Sequence, residues 1–204
     1  MNESILTSVS DYYEKKVEEF GATPAGVDWN GRESQELRFE QLLKVTDHID
    51  GAYTIDDYGC GYGELCAWLK AKELPSDYLG IDIAPKMVEK AKALHGEFFV
   101  EGAVSPRQAD VAVASGIFNV RLETEIEAWE VYVRETLEAL NERSQKGFAF
   151  NCLTSYSDKE YMRGDLYYAD PGFYFDLCKC EFSPQVALLH DYGLYEFTII
   201  VRKF

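Results

Sequence analysis

Apolar positions recur at three- and four-residue spacing among acidic ones over residues 2–20, which predicts an acidic amphipathic helix. Gly21, Pro24 and Gly26 then interrupt it, because Gly and Pro disfavour helix interiors. From residue 33 to 49 the apolar positions Phe39, Leu42, Leu43, Thr46 and Ile49 again follow a helical period. After Gly51 the pattern changes. Short apolar strands at 54–58, 77–83, 97–101, 111–115 and 147–153 alternate with helices at 64–72, 85–94 and 123–142. Pro85 suits a first helical position, where its missing N–H would have no partner in any case. On the long helix Ile126, Trp129, Val133, Leu137 and Leu140 form one stripe. Such alternation predicts an α/β fold, a parallel sheet covered by helices on both faces.

The end of the chain departs from this rhythm. Residues 154–170, rich in Tyr, Ser and Asp, read as an irregular insertion, and a short helix is expected from about Asp170-Pro171. Strands at 186–190 and 196–202 are separated by five residues, too few for a parallel crossover, so this last pair is expected to be antiparallel.

Composition narrows the function classes. The 204 residues fit one domain with a substantial core, 47% of them hydrophobic. No apolar run reaches the roughly 18 residues of a membrane span, and Met1-Asn2-Glu3-Ser4 does not open a secretion signal, so a cytoplasmic location is expected. Acidic residues outnumber basic ones 36 to 20, a net charge of −16, which opposes binding to nucleic acid. The five cysteines and three histidines form no metal-binding pattern; free, buried thiols in a reducing compartment are expected.

The strongest chemical signal is Asp56-Asp57-Tyr58-Gly59-Cys60-Gly61-Tyr62-Gly63, between a strand and a helix. Glycines there let the backbone turn sharply and approach a ligand. A second strand ends in Asp82, 19 residues beyond Gly63, where an acid can accept both hydroxyls of a ribose. Two details count against a dinucleotide. The third glycine comes one residue early for G-x-G-x-x-G, and Asp57 suits an amino or sulfonium group better than a pyrophosphate. The G-K-[ST] of a phosphate-binding loop is absent.

These residues resemble the class I S-adenosylmethionine-dependent methyltransferases. Asp57-x-Gly59-x-Gly61-x-Gly63 is similar to the family's first motif, Gly80-Ile-Asp82-Ile-Ala-Pro-Lys-Met87 to its second, and Ala109-Asp110 through Ser115-Gly-Ile117-Phe to its fourth-strand motif. The resemblance spans about residues 35–202 and implies a Rossmann-like, doubly wound, mostly parallel seven-stranded sheet with a reversed last strand. It implies S-adenosyl-L-methionine as cofactor. Gly59, Cys60, Gly61 and Gly63 would cradle its methionine part, with Asp57 near the amino group. Asp82 would hold the ribose, Ile83 and Met87 would pack on adenine, and Ser115, Gly116 and Ile117 would lie near the reacting methyl. The family often has a Gly-Asp pair after the third strand; here it is Gly102-Ala103, so adenine recognition would fall to backbone groups.

In domain terms, residues 1–50 read as a helical extension or lid and 51–204 as the cofactor-binding domain. Trp29, within Gly26-Val-Asp-Trp29-Asn30, folds over the cofactor or covers a sheet edge; the N-terminal helix also offers a dimer contact. Ligands of open α/β sheets bind at the carboxyl ends of the strands, which makes Asn151, Tyr156, Arg163, Tyr168 and Tyr192 candidates for the acceptor. His190 is a candidate base for a hydroxyl acceptor. Three readings follow: a methyltransferase for a small molecule, one for a macromolecule, and a non-catalytic binding subunit. The intact glycines and Asp82 favour an enzyme.

Overall fold

The computed structural model describes residues 2–29 and 31–203; Asn30 lies outside the described residues. Seven strands form one sheet in the order β3-β2-β1-β4-β5-β7-β6. They are β1 (Tyr53–Tyr58), β2 (Ser76–Asp82), β3 (Phe99–Glu101), β4 (Ala109–Ala114), β5 (Ser144–Leu153), β6 (Gln185–Leu189) and β7 (Glu196–Arg202). β1 to β5 pair in parallel, and β7 runs antiparallel between β5 and β6. The expected mixed sheet with its reversed end is thus present. Strand order reverses between β1 and β4, opening a crevice at their carboxyl ends.

Six helices cover the two faces: α1 (Glu3–Phe20), α2 (Arg32–Leu43), α3 (Glu64–Ala71), α4 (Pro85–His95), α5 (Ile126–Arg143) and α6 (Pro171–Glu181). Ile55, Val111 and Val113 pack with Leu42 of α2, Leu65 of α3 and Val88 of α4. Their neighbours Tyr58, Ala112 and Phe150 point the other way, to Val133 of α5 and Tyr174 of α6. Alternation of side chains along each strand makes this division.

The 102–108 connection between β3 and β4 carries no helix. A parallel crossover normally supplies one, and α1 contributes to the same face instead: Ile5 and Val9 join the cluster containing Tyr58 and Ile81. Val17 meets Ala84 and Met87, and Lys86 of α4 pairs with Glu14 at 2.9 Å and Glu18 at 2.8 Å. The crossover is tied to β1 through Asp56, wholly buried, which accepts from Ser105 Oγ at 2.5 Å and Arg107 Nε at 2.7 Å.

Two element boundaries differ from the sequence pattern. The helix expected over 33–49 ends at Leu43 and continues as a 3₁₀ turn, Lys44–Thr46, where Thr46 Oγ1 bonds back to the Leu43 carbonyl at 2.8 Å. β5 begins at Ser144 rather than Gly147, directly after α5, where Ser144 Oγ closes the helix end by donating to the Leu140 carbonyl at 2.7 Å. The 154–170 segment is irregular as expected, held by bridges Val120–Leu166 and Thr154–Ala169.

Asp170 caps α6: its Oδ1 accepts from the N–H groups of Gly172 at 2.8 Å and Phe173 at 3.2 Å. Asp170→Ala is expected to cost about 1 kcal/mol of stability. Urea denaturation should show this as a lower midpoint with an unchanged slope.

Candidate active site

The chain leaves β1 through Gly59, Gly61 and Gly63, all in the left-handed region, with φ of 69°, 55° and 88°. Two of these positions also lack room. A Cβ on Gly63 would lie 2.7 Å from the rings of Phe99 and His95, and one on Gly59 would overlap the Ile117 side chain. The turn therefore packs tightly on both sides and aims the Gly61 N–H at Asp82 Oδ2, 2.8 Å away. Asp82 Oδ1 takes the Ala84 N–H at 2.9 Å. Burial pushes the Asp82 carboxyl up to about 6, against the pull of the backbone N–H groups of Ala84, Gly61 and Ile83.

Asp57 is buried one strand away, where Tyr78 Oη donates to its Oδ2 at 2.7 Å. Burial, with the charges of Asp82 and Asp56 adding, pushes Asp57 up to about 7 although the Tyr78 hydroxyl opposes the rise. Both acids line a cavity at the carboxyl ends of β1, β2 and β4. Glu64 lines it too, and among the described residues no Lys, Arg or His does. A chamber with three carboxyl groups and no cation suits a ligand carrying positive charge.

Of the fourteen residues the motifs assigned to the cofactor, thirteen line this cavity: Asp57, Gly59, Cys60, Gly61, Asp82, Ile83, Met87, Gly102, Ala103, Ser115, Gly116, Ile117 and Trp29. Gly63 instead shapes the turn behind it. Trp29 stands against Gly116, where a Cβ would overlap the indole.

The acceptor candidates are dispersed. Asn151 is wholly buried and absent from the cavity wall; its Oδ1 accepts from the Gly116 N–H at 2.7 Å and its Nδ2 donates to Glu196 Oε2 at 2.5 Å. Arg163 and Tyr168 border a separate depression beside Phe173, with Arg163 paired to Asp165. Tyr192 Oη lies 3.0 Å from Thr198 Oγ1. Tyr156 is 76% exposed, and exposed His190 packs between it and Phe197, at ring distances of 5.9 and 6.3 Å. The insertion and hairpin turn do meet, through Tyr161 with Tyr195 and Tyr195 Oη with Asp158, but away from the cavity lining. His190 therefore does not reach the chamber. The turn after β6 lies three strands from β4, about 14 Å at the usual strand spacing.

The roof contains residues that the motifs did not mark: Tyr13 of α1, Val27, and Gln35 and Phe39 of α2. Their neighbour Arg38 is buried and bidentate on Glu196, with Nε at 2.8 Å and NH2 at 2.5 Å, while its guanidinium lies 3.8 Å from the Trp29 ring centre. The signal was present in α2, where Gln35 and Arg38 fall on the face of Phe39 and Leu42; polar residues on an apolar stripe require buried partners.

A family model described as a methyltransferase domain matches residues 57–142. A protein of Mycobacterium tuberculosis (strain ATCC 25618 / H37Rv), Rv1506c, whose name carries a provisional methyltransferase assignment, is 55% identical over 166 residues, 79% of this chain and 99% of the relative. Among solved structures, a DhpI complex with S-adenosylhomocysteine has a TM-score of 0.64 at 11% identity, covering 99% of this chain and 98% of that one. The plantazolicin methyltransferase BpumL, with a pentazolic desmethylPZN analogue and S-adenosylhomocysteine, has a TM-score of 0.60 at 12% identity over 100% of both chains. At these identities the structural likeness is one of fold.

The raised acids make stability depend on pH. Folded Asp57 titrates at about 7 against about 4 unfolded, so between those values the folded state holds more protons and stability falls as pH rises. Above 7 the penalty is complete. Asp57→Asn removes it, so the ligand-free variant should melt higher than wild type at pH 8 and nearly together with it at pH 4. Calorimetric scans across that range check the crossover.

Proposed function

This chain belongs to the class I S-adenosylmethionine-dependent methyltransferases, and we propose that it methylates an oxygen or nitrogen atom of a small molecule. Its cofactor is S-adenosyl-L-methionine. The observation that carries the fit is the cation-free chamber with Asp57 and Asp82 at its base. The Asp82 oxygens accept the Gly61 and Ala84 N–H groups and keep lone-pair capacity for ribose hydroxyls. Asp57 would meet the amino group, and Ile83, Met87, Gly102 and Ala103 would enclose adenine. When bound, the cofactor would supply an electrophilic methyl carbon on a positive sulfur, open to displacement by an acceptor lone pair with a neutral thioether leaving.

The chain's own task is orientation and the exclusion of water. Tyr13, Val27, Trp29 and Gln35 add a wall from the N-terminal segment and α2, which supports a compact acceptor over a polymer needing an open groove. The net charge of −16 supports the same reading against nucleic acid. Among the described residues no helix is long and apolar enough to cross a membrane.

Titration calorimetry tests the cofactor site. Asp82→Ala should weaken S-adenosylhomocysteine binding by about 1.5–3 kcal/mol, the range for hydrogen bonds to a charged group. Equal affinity of wild type and variant, or tighter binding of NAD, would overturn it. Because an ammonium favours ionised Asp57, wild-type binding should release protons at pH 6 and tighten as pH rises toward 7. Heats measured in buffers of different ionisation enthalpy read that release directly.

A further inference from the structure

Five contacts close a ring at one end of the chamber. The Gly116 N–H donates to Asn151, Asn151 to Glu196, and Arg38 to Glu196; the Arg38 guanidinium stacks on Trp29, whose edge fills the space above Gly116. Arg38 is fully committed, since NH1 donates to the Ser34 carbonyl at 2.8 Å while Nε and NH2 hold Glu196. One face of the indole is thus covered and its edge is placed, and Trp29 is part of the cavity wall. Next to Gly116 is Ser115, a residue of the same cavity wall, whose Oγ is buried with no hydrogen-bond partner among the described residues.

We propose that the part of the chamber bounded by Trp29, Gln35, Phe39, Tyr62 and Ser115 is the acceptor subsite, and that it takes an uncharged, ring-bearing nucleophile. Arg38 and Glu196 are positioning residues that hold the Trp29 wall. The proposal rests on the methyltransferase reading above. Charge decides the class. An anionic acceptor would enter a space with Asp57, Glu64 and Asp82 and, among the described residues, no cationic side chain on its wall; Arg38 is held by Glu196, and Arg32, within electrostatic reach of Glu64 and Tyr62, is paired with Glu36. A cationic acceptor would stand beside a positive sulfur and lack a free lone pair on its charged nitrogen. A flat, neutral ring stacks on the indole face, and its hydroxyl or amine finds the unpartnered Ser115 Oγ.

The test uses 5-fluorotryptophan-labelled protein saturated with S-adenosylhomocysteine, with phenol, benzoate and benzylamine as probes. The chain has three tryptophans, so Trp29→Phe assigns the Trp29 fluorine signal and Trp68 and Trp129 serve as internal references. Phenol should move the Trp29 signal saturably, with the charged probes at equal concentration moving it less than a fifth as far. Ser115→Ala should weaken phenol binding at least fivefold. Arg38→Met combined with Glu196→Gln removes both charges together, so no lone buried charge is stranded. That variant should broaden or shift the Trp29 signal and weaken phenol at least fivefold, with the Trp68 and Trp129 signals in place. Benzoate binding as well as phenol, or phenol binding equally to wild type and both variants, would overturn the subsite. Failure of S-adenosylhomocysteine itself to bind would instead overturn the reading beneath it.

Discussion

Two carboxyl groups, Asp57 and Asp82, are buried at the ends of adjacent parallel strands with no cationic side chain in their cavity. Burying such groups is costly unless hydrogen bonds compensate, and the surroundings are arranged to supply them. The glycine turn brings one N–H to Asp82, the start of α4 brings a second, and Tyr78 brings a hydroxyl to Asp57. The compensation is partial, and both acids stay well above their usual range. Both acids line the cavity, so the burial that raises them also favours a positively charged ligand beside them.

Around that pair the N-terminal segment has two jobs. Through Ile5, Val9 and Val17 it completes the helical layer that the helix-free crossover at 102–108 leaves open. Through Tyr13 and Trp29 it adds a wall to the chamber. The core's third helix on that face and the roof of the site are thus one continuous piece of chain, and α2 continues the roof into the opposite face.

Much of this was legible in the sequence because the signals are local. Short apolar runs marked the strands and period-3.6 patterns the helices, the end of α2 apart, and the glycine turn with Asp57 and Asp82 sits in one βαβ unit. What was not legible depends on distant partners. Arg38 and Glu196 are 158 residues apart, and neither is informative alone. Asn151 ends an apolar strand and reads as a substrate group, yet it is spent on Gly116 and Glu196. His190 and Tyr192 stand at the correct end of the sheet, but sequence order does not reveal lateral distance, and β6 is the outermost strand.

The helix that fills the core is also a restraint on traffic. Swinging α1 away would return Ile5, Val9 and Val17 to water at about 1.5–3 kcal/mol each. At 1.4 kcal/mol per factor of ten, fewer than about one molecule in a thousand would stand open at any moment. Between Gly21 and Gly31 the described residues bury only Gly26. Opening through the N-terminal segment would therefore cost least in that short stretch, with α1 remaining where the core holds it.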